Sequence, residues 1–163
     1  TGRVIELFGH DARQVTALDR SPDMLRLARA KLPQDAGDKY ALLLGDFLDL
    51  PLAPGSIDTV LLHQVLHYAQ APERVIAEAA RVTARDGRVL IADFAPHQRE
   101  ELRARDQHAR LGFADAQIER WFADAGLVLE RVETLPGQEL TVQLWLGRRK
   151  SADVLPLERR ISA

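Results

Sequence analysis

The run Val15-Thr16-Ala17-Leu18-Asp19 passes directly into Arg20-Ser21-Pro22-Asp23, and this junction narrows the possible folds more than any other feature of the chain. A short strand that is apolar on both faces has to be covered by helices on both sides. Ser21 supplies an N-cap, Pro22 suits the first helical position, and Asp23 complements the positive end of the helix dipole. Met24, Leu25, Ala28 and Leu32 then recur at helical spacing, which predicts a helix from Pro22 to Leu32. Asp19 therefore stands at the carboxyl end of a buried strand, where an open α/β sheet forms its ligand crevice. A carboxylate there accepts two hydrogen bonds from the cis-diol of a ribose. The competing reading is a turn or helix-capping acid.

The same alternation runs on for most of the chain. Val4 to Phe8 suggest a short helix ending near Gly9, Tyr40 to Leu44 a second strand, and Ile57 to Leu62 a third. Pro72 to Ala84 reads as a helix and Gly87 to Phe94 as a fourth strand, which predicts parallel βαβ units with right-handed crossovers. A charged helix is expected over Gln98 to Arg110, with Glu101–Arg105 and Asp106–Arg110 as i,i+4 pairs. Another is expected over Asp115 to Ala125, stopped by Gly126. Leu127 to Leu135 and Leu140 to Leu146 are joined by Pro136-Gly137-Gln138-Glu139, a link short enough to demand an antiparallel pair. The segment from Ser151 carries no structural signal, so the expected domain is residues 1–150 with a tail at 151–163.

With 163 residues, 46% hydrophobic and 28% charged, the chain suits one domain with a sizeable core. A formal net charge of -2 gives no general attraction to nucleic acid or to an anionic membrane. The absence of cysteine excludes disulfides, thiolate metal sites and a cysteine nucleophile, and agrees with a cytoplasmic setting. No apolar run approaches the roughly 18 residues that span a bilayer.

Three further strand ends carry polar groups. Gly45-Asp46-Phe47 sets an acid beside an aromatic, a pairing that serves a nucleobase: the carboxylate accepts from an exocyclic amine while Phe47 and Met24 offer apolar faces. The alternative is a plain turn next to a core phenylalanine. Leu62-His63-Gln64-Val65-Leu66-His67-Tyr68 places His63 and Gln64 over the crevice and His67 and Tyr68 toward a second substrate. His63 and His67 straddle a strand end, and the residue after His63 is glutamine instead of a metalloprotease glutamate, so metal binding is not expected. Packing or capping histidines are the rival reading. Asp93 and His97, at and just beyond the fourth strand, reach the same crevice or cap the helix that follows.

Taken in order, Val15 to Leu25, the Gly45-Asp46 loop, the strand ending in Leu62 to Tyr68, and Gly87-Arg88-Val89-Leu90-Ile91-Ala92-Asp93 resemble the class I S-adenosylmethionine-dependent methyltransferases. The resemblance implies a Rossmann-like, doubly wound α/β fold with a mostly parallel sheet and an antiparallel C-terminal hairpin. Thr1-Gly2-Arg3 is similar to the end of that family's glycine-rich turn, so its first, central strand is expected to be missing here. The implied cofactor is S-adenosyl-L-methionine, held by Gly2, Asp19 at the ribose, Arg20, Met24, Gly45, Asp46 at the adenine amine, Phe47, His63 and Gln64. The candidates for a catalytic base are His67, Tyr68 and His97. A narrower likeness, in His97 to Leu102, Leu111-Gly112-Phe113, Trp121 to Leu127 and Leu140 to Leu146, is to the methyltransferase half of bacterial proteins fused to an ArsR-type winged helix. It implies an upstream DNA-binding domain; a homodimer is a further expectation, and the charge and lack of an apolar span predict no nucleic-acid or membrane contact by this domain itself. The expected activity is methyl transfer to a small-molecule acceptor; the alternative is a cofactor- or metabolite-sensing domain without catalysis.

Overall fold

The computed structural model describes residues 2–33 and 37–150. They fall into two compact units, Thr1–Ala53 and Pro54–Ala163, each of which has its own sheet. The tail assigned to residues 151–163 lies outside the described residues.

In the first unit, α1 (Arg3–Phe8) leads to β1 (Val15–Asp19), α2 (Pro22–Arg29), a single 3-10 turn (Gly37–Lys39) and β2 (Tyr40–Leu44). β1 and β2 pair in parallel, with Asp19 opposite Leu44. Helix α2 starts as its sequence demands: Ser21 is extended, its side chain accepts from the Met24 N–H, and Pro22 follows at the first helical position. It ends at Arg29, short of the expected Leu32. The left-handed Gly2 caps α1 at φ 71°, and a Cβ there would come within 2.8 Å of the Ala28 backbone, so only glycine fits against α2.

The second unit runs β3 (Ile57–His63), a 3-10 turn (Leu66–Tyr68), α3 (Pro72–Val82), β4 (Thr83–Phe94), α4 (Glu101–Arg105), α5 (Asp115–Asp124), β5 (Leu127–Leu135) and β6 (Val142–Arg149). Its strand order is β3-β4-β6-β5: β3 and β4 are parallel, while β6 is antiparallel to both β4 and β5. The parallel crossover, anticipated from the strand–helix alternation, is followed by an antiparallel C-terminal hairpin, the Rossmann-like α/β arrangement that the resemblance implies. The core gathers Val75, Ile76 and Ala79 of α3, Val89 and Ile91 of β4, Ile118 and Phe122 of α5, and Trp145 of β6.

β4 and α4 depart furthest from their sequence pattern. β4 begins at Thr83, opposite Ile57, and then bulges before Arg88 rejoins the ladder opposite Thr59; Asp86 takes φ 59° inside the bulge. Gly87 thus marks where regular pairing resumes instead of where the strand starts. The helix expected over Gln98 to Arg110 is only Glu101–Arg105. The Ala109 and Arg110 N–H groups donate to the His67 carbonyl at 2.9 and 3.0 Å, which takes them out of any helix. The expected ion pairs change with it: Glu101 pairs with Arg99, Arg105 with Asp106, and Arg110 donates to the Gln70 carbonyl.

Candidate functional site

Parallel pairing brings the carboxyl ends of β1 and β2 side by side, and the Gly45 N–H donates to the Asp19 carbonyl at 3.2 Å. A Cβ on Gly45 would lie 2.8 Å from Leu18 Cδ1, so a glycine lets the loop turn closely over β1. Asp19 is half-buried; its Oδ1 accepts from the Ser21 N–H at 2.9 Å, and its other carboxylate oxygen accepts nothing from the described residues. Asp19 therefore steadies the helix entry and keeps an oxygen for an incoming donor. Asp46 behaves in the same way: Oδ1 accepts from the Leu48 N–H at 2.8 Å, and the side chain is exposed. Arg20 lies over the Phe47 ring, 5.9 Å from its centroid, so the loops after both strands meet. Met24 is half-buried in the first turn of α2. Within this unit Asp19, Arg20, Gly45, Asp46 and Phe47 come together, while Gly2 is occupied in packing α1 on α2.

In the second unit the loop after β3 is built around Asp93, which is fully buried. Its carboxylate accepts from the Leu66 N–H at 3.0 Å, the His67 N–H at 3.3 Å and the Phe94 N–H at 2.8 Å. It also meets His67 Nδ1 at 2.7 Å. A carboxylate already surrounded by donors acts as acceptor toward the ring, so Nδ1 carries a hydrogen, and in the neutral ring Nε2 holds the lone pair. His67 is only 1% exposed, and its Nε2 has no partner among the described residues. The arrangement is an imidazole oriented by a buried carboxylate, with one ring nitrogen unpaired among the described residues.

The other candidates stand around it. Gln64 sits at φ 49°, its N–H donating to the Ala92 carbonyl, and His63 is exposed at the end of β3. Tyr68 packs on His67 at 4.1 Å between ring centroids. His97 meets Phe94 edge-on at 6.0 Å; its Nδ1 accepts from the Arg99 N–H, and its Nε2 is buried without a partner among the described residues. Burial holds the His97 imidazole below its ordinary pKa, with the Arg99 guanidinium adding to the effect. Thus His67, Tyr68 and His97 share one cluster, with Gln64 at its edge.

The sequence offers Asp93 as a strand-end acid that reaches the crevice beside His97 or caps the next helix, and the fold sets it at the centre of the cluster. One member of the cluster is not among the residues the sequence singles out. His108 gave no signal at all, since it lies within a charged stretch that reads as a solvated helix. In the fold it is 7% exposed and its ring lies 4.2 Å from that of His67. Burial, and then the neighbouring His67, push its pKa down. A cavity of about 480 Å³ opens beside the cluster, lined by Gln64, His67, Tyr68, Phe94 and the segment Arg105 to His108. Among the described residues no group of carboxylates and imidazoles is arranged to hold a metal ion, and no helix is long and apolar enough to cross a membrane.

Comparison with known proteins bears on what such a site does. Residues 1–91 match the family described as methyltransferase domain. The chain is 41% identical over 96 residues to a malonyl-[acyl-carrier protein] O-methyltransferase of Laribacter hongkongensis, a stretch that covers 55% of this chain and 32% of that protein. It is 30% identical over 145 residues to a phosphatidylethanolamine N-methyltransferase of Cereibacter sphaeroides, covering 84% of this chain and 71% of that one. Among solved structures, that of a methyltransferase described as putative from Bacillus halodurans superimposes with a TM-score of 0.80 at 16% identity, over 92% of this chain and 89% of that one. The chain spans about a third of the Laribacter protein's length.

Proposed function

Because the chain belongs to the methyltransferase domain family, we propose that its protein transfers a methyl group from S-adenosyl-L-methionine to a small-molecule acceptor. The observation that carries this reading is the pair of strand-end acids, Asp19 and Asp46, on adjacent parallel strands, each with a carboxylate oxygen left for a ligand. Such residues fit the cofactor. Asp19 accepts from the ribose diol, Asp46 from the adenine amine, and Phe47 and Met24 flank the base, with Arg20 bracing Phe47. Gly45, which lets the loop turn closely over β1, completes the set in this unit.

Bound S-adenosyl-L-methionine supplies a methyl group already activated on a sulfonium, which an acceptor lone pair takes as the carbon–sulfur electron pair returns to sulfur. The chain then has to position the acceptor, exclude water and, for a protonated nucleophile, remove a proton. His67 is the group we assign to that last task. Asp93 fixes the orientation of its ring, so that Nε2 is the atom to receive the acceptor's proton. Tyr68 lines the same cavity, and His97 packs against Phe94 of its wall. The fusion to an ArsR-type winged helix, read from His97 to Leu146, belongs to this proposal as its finer part and is tested by the sequence of the full-length protein.

The direct test is calorimetric titration of S-adenosyl-L-methionine into the full-length protein and its Asp19→Ala variant. Losing a charge-assisted pair of hydrogen bonds should raise the Kd about tenfold or more. An unchanged Kd would reject the ribose role of Asp19 and with it the basis of the reading.

A further inference from the structure

His108 is held in an unusual manner for a loop residue. Its ring is stacked on Phe94, with centroids 5.7 Å apart and planes 15° apart, and it meets Tyr68 edge-on at 5.6 Å and 83°. His67 closes the remaining side at 4.2 Å. This is an aromatic box filled by an imidazole, yet the filling is polar and poorly satisfied. His108 Nδ1 and His67 Nε2 are both shut off from solvent, and neither has a hydrogen-bond partner among the described residues. Burying a polar atom unpaired costs free energy that a leucine or phenylalanine in the same place would not incur.

Backbone strain falls at the same spot. Gln107, immediately before His108, takes φ 58°, and Gln64, at the edge of the same cavity, takes φ 49°, both in the left-handed region that disfavours a side chain. The segment around His108 is pinned on either side: the Ala109 and Arg110 N–H groups donate to the His67 carbonyl, and the Asp106 N–H donates to the Leu102 carbonyl. The His108 N–H itself donates to the Leu102 carbonyl at 3.3 Å, and its side chain borders the adjoining 480 Å³ cavity. At the cavity wall Arg105 and Asp106 pair with each other at 2.8 Å, so neither offers an uncompensated charge.

We propose that the box formed by His67, Tyr68 and Phe94 is the acceptor subsite, that it takes a planar, uncharged ring bearing a hydroxyl group, and that His108 is the plug that fills it when no acceptor is bound. The inference rests on the methyl-transfer reading and narrows its acceptor to a phenol-like class. An entering ring replaces the imidazole on Phe94, and its hydroxyl donates to His67 Nε2, pairing a nitrogen that is otherwise left bare. His108 moves to the cavity, where water can satisfy Nδ1. The flat stack selects against saturated rings, and the lone pair on His67 selects against rings without an acidic hydrogen. In the reaction the phenolic oxygen–carbon bond forms as the methyl carbon–sulfur bond breaks. The electron pair of the broken bond stays with sulfur, and the hydroxyl proton passes to His67 Nε2.

The experiment uses full-length protein without S-adenosyl-L-methionine and follows phenol, anisole and cyclohexanol binding by NMR, reading the His67 and His108 ring resonances. Phenol should perturb both rings and bind more tightly than cyclohexanol. His108→Gly removes the plug, so phenol affinity should rise about tenfold, the factor expected when the closed state is some ten times more populated than the open one. His67→Gln should weaken phenol about fivefold, the worth of a hydrogen bond, and leave anisole unchanged. Equal affinities for phenol and cyclohexanol, or phenol binding no tighter in His108→Gly than in the parent, would overturn the proposal without needing the His67 variant. Because the cofactor is absent, a phenol site in a protein that fails to bind S-adenosyl-L-methionine would uphold the subsite and sink the methyl-transfer reading alone.

Discussion

The Asp93 carboxylate shows how much one buried residue organises. It receives three backbone N–H groups and the His67 ring, and so fixes the chain's turn after β3 and the imidazole's tautomer together. Asp93→Ala should lower stability to chemical denaturation by about 3–5 kcal/mol, because the buried donors are left facing nothing. Asp93→Asn keeps the shape and should cost clearly less; urea midpoints of the two variants measure the difference. At this scale the sequence was informative where a residue's role is local. Asp19, Ser21 and Pro22 could be placed because strand end, cap and first turn are neighbours along the chain. His108 could not, since what makes it part of the site is contact with His67 and Phe94, both distant in sequence.

Elements were legible in proportion to their apolar pattern. The runs at Val15, Tyr40, Ile57 and Leu127 begin strands where periodicity places them, and β6 slides to Val142–Arg149 because its register is set by β4, opposite Phe94 to Arg88. The charged stretch 98–110 misled because salt-bridge spacing suits a helix, whereas hydrogen bonds from Ala109 and Arg110 to the His67 carbonyl unwind its second half. Packing between elements has its own signature at Gly147 of β6, where a Cβ would fall 2.6 Å from the Phe122 ring of α5. Gly147→Ala should therefore destabilise the unit by about 1–3 kcal/mol through overpacking, seen as a lower melting temperature. The Ser21 cap of α2 is worth about 1 kcal/mol, and Ser21→Ala should lose it.

For the whole molecule, the buried imidazoles couple stability to pH. His97 and His108 both have folded-state pKa values below 6.5, principally through burial, so the unfolded chain binds their protons first as acid is added. Their contribution to stability is fully present above pH 6.5 and is lost as the pH falls through the lowered folded values. Melting temperatures taken at pH 7.5 and 5.0 should show a drop that shrinks in the double variant His97→Gln/His108→Gln; an equal drop would assign the effect to other groups. The sequence by itself determined the α/β class, the parallel crossovers, the terminal hairpin and the strand-end acids, because each follows from periodicity or from residues adjacent along the chain. Only the tertiary structure decided that Asp93 holds His67, that His108 lies against it, and that both imidazoles keep a buried nitrogen without a partner among the described residues. Those facts depend on loops from separate strands meeting in space, and burial and hydrogen-bond satisfaction there are properties of the assembled neighbourhood.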